Sequence, residues 1–231
     1  MPKLSILSGG AAQGLVKALE AEFTAASGYE IDGVFGAVGA MRARLAAGHL
    51  TDLVILTSAI VRALGGEGVV MPQTIVDLGG VETAIAVRDD TPAPAVADEA
   101  SLRAALLAAD AIYFPDPEQA TAGVHFADVL RRLGIASEVS SRLRTFPNGA
   151  TAMRALAAAA EARAIGCTQV TEIRMTPGVM VAATLPRGFD LKTLYTAGII
   201  ASSSQRDAAL SLLGLLTSEH HARLRAGCGF V

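Results

Sequence analysis

Tryptophan is absent from the 231 residues, and all aromatics together make up only 4%. Positive charge is scarce as well. Lys and Arg number 19 against 22 Asp and Glu, for a formal net charge of -3. Nucleic-acid binders carry a basic stripe or stacking aromatics, so this composition argues against that class of partner. Cysteine occurs only as Cys167 and Cys228, without metal-ligand spacing. The pair reads as buried thiols of small apolar character rather than as a disulfide framework. The histidines are His49, His125, His220 and His221. They form no HExxH or facial-triad pattern, so neither a metal nor any other cofactor is expected. Neighbours on a helix point about 100° apart, and His220-His221 therefore reads as a solvated face. No apolar run approaches the roughly 20 residues of a membrane span, so membrane insertion is not expected.

What the chain does have is apolar bulk, 52% hydrophobic residues against 18% charged. That is enough for one large domain or two small ones with cores of their own. Met1-Pro2-Lys3 runs at once into Leu4-Ser5-Ile6-Leu7, a first core strand with no leader-like apolar segment before it. As the sequence stands this reads as cytoplasmic, and as periplasmic if a leader has been removed.

Strand and helix signals alternate along the chain, which predicts α/β layers around parallel sheets. The first strand is followed by Ser8-Gly9-Gly10-Ala11-Ala12 and then by a helix with Leu15, Val16, Leu19 and Phe23 on one face. A strand over 31–35 leads through Gly36-Ala37-Val38-Gly39-Ala40 into a second helix, and Leu53-Val54-Ile55-Leu56 is a short buried strand. Strands are also expected at 83–87 and 111–114, after which Pro115-Asp116-Pro117 forces a turn. Thr121-Ala122-Gly123 opens a helix with Phe126, Leu130 and Leu133 inward. Asn148-Gly149-Ala150 opens another, and Ile165-Gly166-Cys167-Thr168 is a strand. Two further apolar runs, 179–185 and 194–201, precede helices for which Ser204 and Ser218 are the expected N-caps.

In order and spacing these segments resemble the molybdate-binding type of the type II periplasmic solute-binding family. In that family a small-residue loop closes the first strand, as residues 8–12 do here. A Gly/Ser-rich loop follows the second strand, matched by 35–40, and an "x-G-x-x-A-D" step is matched by Ala47 through Asp52. A "D-P-x-x-x-x-A-G" step matches Asp116-Pro117 through Ala122-Gly123, and the later helix and strand match 148–160 and 165–168. The resemblance covers essentially the whole chain. It implies a two-lobed α/β fold with hinge crossovers, lobe I being 1–80 plus 190–231 and lobe II 81–189, with a ligand held between the lobes.

It further implies that Ser8, Gly9, Gly10, Ala11, Ala12, Val38, Gly39, Ala40, Thr121, Ala122, Gly123, Asn148, Gly149, Ala150, Cys167, Thr168 and Gln169 surround the ligand. The chemistry is consistent with an anion. Each loop lies where a strand ends and a helix begins, and first-turn N–H groups carry partial positive charge. The loops hold no charged residue, although Arg42 and Arg144 are close in sequence. The chain departs from the pattern in two places. No hydroxyl occurs in 37–40, and Cys167 stands where the family often has Tyr. Both departures remove donors expected around a tetrahedral oxyanion.

The functional expectation is a small-anion receptor, delivering solute to an ABC permease if exported. The first alternative is an isomerase of small unsaturated polycarboxylates on the same scaffold, as in aconitate isomerases, with His125 and Glu172 as the titratable groups for proton transfer. Against those roles stand plainer readings: a half-buried helix histidine and a solvated helix-surface charge. A cytoplasmic ligand sensor is a further alternative.

Overall fold

A computed structural model describes residues 1–231. In chain order the elements are β1 (Lys3–Gly9), α1 (Gln13–Ser27), β2 (Glu30–Gly36), α2 (Val38–Ala46), β3 (Leu53–Thr57), α3 (Ser58–Gly66) and β4 (Val76–Arg88). There follow α4 (Glu99–Ala108), β5 (Ala111–Pro115), α5 (Thr121–Arg132), α6 (Ala136–Val139), β6 (Leu143–Phe146), α7 (Gly149–Ala157) and β7 (Ala164–Gln169). The last are α8 (Val170–Arg174), β8 (Val179–Thr184), β9 (Lys192–Ile199), α9 (Arg206–Thr217) and α10 (Ala222–Cys228). The mixed α/β alternation expected from the sequence is what the chain forms.

Two compact units result, Met1–Val81 with Thr193–Val231, and Glu82–Lys192. In the first, β1 pairs parallel with β2 and β3, and β3 pairs antiparallel with β9. Its core joins Leu4, Ile6, Leu53 and Ile55 to the inner faces of α1 (Leu15, Leu19, Phe23) and α9 (Leu212, Leu216). In the second, β5 pairs parallel with β6 and β7, while β4 pairs antiparallel with β7 and β8.

Side chains alternate across a strand, and here the alternation divides two cores. Ile85, Val87, Ile112, Phe114, Ile165 and Cys167 pack with Phe126, Val129 and Leu130 of α5. Their neighbours Ala84, Ala86, Ala111, Tyr113 and Ala164 pack with Ala152, Met153 and Leu156 of α7. The second face is lined mainly by alanine on the sheet side, so α7 seats close to the strands.

Some local expectations need correction. β4 begins at Val76, ahead of the strand expected at 83–87. Asp77 and the Gly79-Gly80 pair hide the strand in the sequence, but Gly80 exchanges backbone hydrogen bonds with Val231 at 2.8 Å each way. The long-range partner makes the strand. Helix α9 is preceded by Gln205 rather than capped by Ser204, and the hydroxyl of Ser203 accepts from the Gln205 N–H. Ser218 does act as a cap, accepting from the His220 N–H at 3.1 Å. His221 is not on a solvated face. It is buried, with Nε2 3.0 Å from a Glu22 carboxylate oxygen and Nδ1 3.1 Å from the Leu215 carbonyl, whereas His220 is exposed.

Candidate functional site

In the first unit, parallel register sets Gly9 opposite Gly36 and Ser8 opposite Ile55. The C-terminal ends of β1, β2 and β3 therefore share one edge, and a helix starts after each. None of these helix starts has a side-chain cap, so their first-turn N–H groups remain available to another partner. Ser8, Gly9, Gly10, Ala11, Ala12 and Val38 are buried, Ala40 is half-buried and Gly39 is exposed. The Ser8 hydroxyl donates to the Gly9 carbonyl at 2.8 Å, so it must rotate to serve a ligand. The ring of Tyr195 on β9 lies against Gly9, with Cε1 3.0 Å from where a Cβ would stand. A lone tyrosine inside the apolar run 194–201 was the available signal for this residue.

In the second unit the ends of β5, β6 and β7 share an edge in the same way, leading to α5, α7 and α8. Thr121 is half-buried, and Ala122 and Gly123 are buried. A Cβ on Gly123 would fall 2.1 Å from the Asp116 carbonyl oxygen and 2.3 Å from that of Pro115. The start of α5 thus lies on the backbone that ends β5, an approach open only to glycine. Asn148 is the N-cap of α7, its Oδ1 accepting from the Thr151 N–H at 2.9 Å and the Thr151 hydroxyl at 3.0 Å.

The chemistry of this unit concentrates at Glu172. The residue is 6% exposed, contrary to a solvated surface charge. Its Oε2 accepts from the Thr168 hydroxyl at 2.6 Å. The backbone N–H groups of Ala150, Gln169 and Gly149 also bond to the carboxylate. Burial pushes the Glu172 pKa up, and the Thr168 hydroxyl and those N–H groups oppose the rise without cancelling it. A Cβ on Gly149 would stand 1.9 Å from Glu172 Oε2 and 2.2 Å from Thr168 Oγ1. The glycine is what lets the carboxylate reach the first turn of α7.

The other residues singled out in the sequence lie apart from this network. Cys167 is wholly buried on the opposite sheet face, in the core with Ile165 and Phe114, and burial raises its thiol pKa well above the usual value. Its sulfur therefore faces core side chains, not the strand-end loops. Both cysteines are thiols. His125 is half-buried, with Nε2 2.7 Å from the Phe189 carbonyl oxygen. A carbonyl only accepts, so Nε2 carries the proton in this contact. No hydrogen bond joins His125 to Glu172. Gln169 is buried and pairs across the sheet with Thr83. Thr83 is 1% exposed and its hydroxyl meets no hydrogen-bond partner. Sequence reasoning passed over Thr83, a single hydroxyl at the head of the apolar run 83–87. Arg42 and Arg144 are exposed.

Comparison with known proteins places this architecture. The periplasmic molybdate-binding protein of Azotobacter vinelandii superposes with a TM-score of 0.78 at 15% identity, covering 99% of this chain and 98% of that one. The sulfate-binding protein of Mycobacterium tuberculosis gives a TM-score of 0.73 at 15% identity, over 100% of this chain and 86% of that one. In sequence, an aconitate isomerase of Pseudomonas sp is 26% identical over 226 residues, 95% of this chain and 84% of that protein. The fold is that of the type II periplasmic binding proteins. With residues 4–231 matching its description, the chain belongs to the family of bacterial extracellular solute-binding proteins.

Proposed function

We propose that the protein binds a small anion, and that a small carboxylate fits better than a tetrahedral oxyanion. The observation that carries this reading is the uncapped helix starts at strand ends within each unit, after β1, β2 and β3 in the first and after β5 in the second, built from small residues without a charged side chain. Such an arrangement offers backbone donors and helix dipoles to negative charge. The sulfate- and molybdate-binding relatives support the anion class. The preference for carboxylate rests on the missing hydroxyl in 37–40, which removes a donor a tetrahedral ligand would use. As a receptor, the protein would pass its ligand to a membrane permease.

The test is a thermal-shift and calorimetric screen against molybdate, tungstate, sulfate, citrate and cis- and trans-aconitate. A true ligand at 100 times its Kd stabilises by about 2.7 kcal/mol, or roughly 5–10 °C in Tm for a chain of this size. Failure of every anion to raise Tm would remove the proposal.

A second reading is an isomerase of unsaturated polycarboxylates. It is favoured by the buried carboxyl of Glu172, whose raised pKa suits proton transfer, and by the aconitate isomerase relative. Proton NMR of cis- and trans-aconitate incubated with the protein separates the two readings. Interconversion makes it an enzyme, and binding without conversion leaves a receptor.

A further inference from the structure

Helix α7 begins with N–H groups that ordinarily stay open to a partner, yet here they are occupied. The occupant is the protein's own carboxylate, Glu172, held by Gly149, Ala150 and Gln169 N–H groups and by the Thr168 hydroxyl. Everything about the local packing preserves this arrangement. Gly149 leaves no room for a side chain, Asn148 caps the turn from outside, and Glu172 projects from α8, whose first residue follows β7 directly. A four-donor cradle filled by the protein's own carboxylate is an anion site whose occupant can change its charge.

We propose that Glu172 is a charge gate on ligand binding: a fully ionised anion takes the α7 N–H groups only when Glu172 accepts a proton from solvent and releases them. The proposal rests on the reading of the protein as a small-anion binder and places a control within the second unit. An ionised ligand and an ionised Glu172 would compete for the same donors and repel each other in a buried setting, so ligand uptake and proton uptake are linked. Once protonated, the Glu172 hydroxyl becomes a donor and can point at the ligand.

The surroundings leave the proton as the means of neutralising this charge. Helix α8 packs against α7, β7 and β8. Strands β7 and β8 contain no charged residue. Helix α7 has Arg154, which is exposed and donates to Thr151, and α8 has Arg174, also exposed. Neither arginine acts on the Glu172 titration, which burial and the four donors govern.

The experiment is calorimetric titration of sulfate and of trans-aconitate into the wild type and Glu172→Gln from pH 6 to pH 9, each in two buffers of different ionisation enthalpy. In the wild type, affinity should fall up to about tenfold per pH unit above the Glu172 titration, with about one proton taken up per ligand. In Glu172→Gln, affinity should be flat with pH and proton uptake should vanish. Wild-type binding without proton uptake would overturn the gate while leaving anion binding intact, and this readout does not depend on the variant folding. An unchanged pH slope in Glu172→Gln would likewise assign the proton to another group and overturn it. Failure of both anions to bind either protein at any pH would overturn the gate, while the wider anion screen decides the anion reading separately.

Discussion

Replacing Gly149 with alanine tests the Glu172 cradle without touching a charged group. The added Cβ would stand 1.9 Å from Glu172 Oε2, 2.2 Å from Thr168 Oγ1 and 2.4 Å from Glu172 Cδ, where real contacts do not fall below 3.0 Å. Thr168 is wholly buried and sits within β7, so the carboxylate must move. Moving it lengthens the 2.6 Å bond from Thr168 and the bonds from the α7 N–H groups. Overpacking a core costs about 1–3 kcal/mol, and each hydrogen bond to a charged group is worth about 1.5–3 kcal/mol. The ordinary helix gain on replacing Gly with Ala returns only about 0.5–1 kcal/mol. The expected net loss is therefore about 2–5 kcal/mol, read by urea unfolding at pH 7. In a double-mutant cycle, Glu172→Ala should recover part of this loss, with a coupling of about 1 kcal/mol or more. A Gly149→Ala protein as stable as the wild type, or more stable, would show that the carboxylate does not sit in the first turn of α7, and would refute the reasoning.

Glu172 has a folded pKa above its ordinary value, so the folded state holds the proton more tightly than the unfolded state. Its contribution to stability is full below the ordinary glutamate pKa of 4.5 and is lost as pH rises through the raised folded value. Glu172→Gln should remove that component from the pH dependence of unfolding, and an unchanged profile would contradict it. Ser8→Ala should weaken ligand binding by about 1 kcal/mol, and an unchanged Kd takes Ser8 out of the site. His125→Ala should cost about 1 kcal/mol of stability through loss of the Phe189 contact. If the protein isomerises aconitate with His125 as a catalytic group, the same change should also lower turnover on the order of 100-fold with affinity nearly kept. Thiol labelling should modify the half-buried Cys228 in the native protein and Cys167 only on unfolding, which mass spectrometry of labelled peptides would check.

Much of the architecture was legible because its signals are local. Apolar runs such as 53–56 and 111–114 can be satisfied only inside a sheet, and the i, i+4, i+8 recurrence of Leu15, Leu19 and Phe23 only on a helix face. Small residues after each run mark the strand-to-helix steps, and the structure starts helices there. Signals failed where the partner is distant. The early part of β4 depends on pairing with Val231, and His221 is buried because Glu22 and the Leu215 carbonyl receive it.

By itself, then, the sequence determined the element order, the strand-end loops and the family, since these follow from periodicity, turn chemistry and motif order along the chain. The surroundings of each polar side chain were decided only by tertiary structure. Parity along β7 sends Cys167 into one core and Thr168 toward α7, but which face meets which helix is set by how the sheet assembles. Glu172 reads as an ordinary helix carboxylate until Gly149, Ala150, Gln169 and Thr168 converge on it. Their convergence cannot be read from spacing, because a buried charge is set by the donors that reach it through space and by the solvent they exclude.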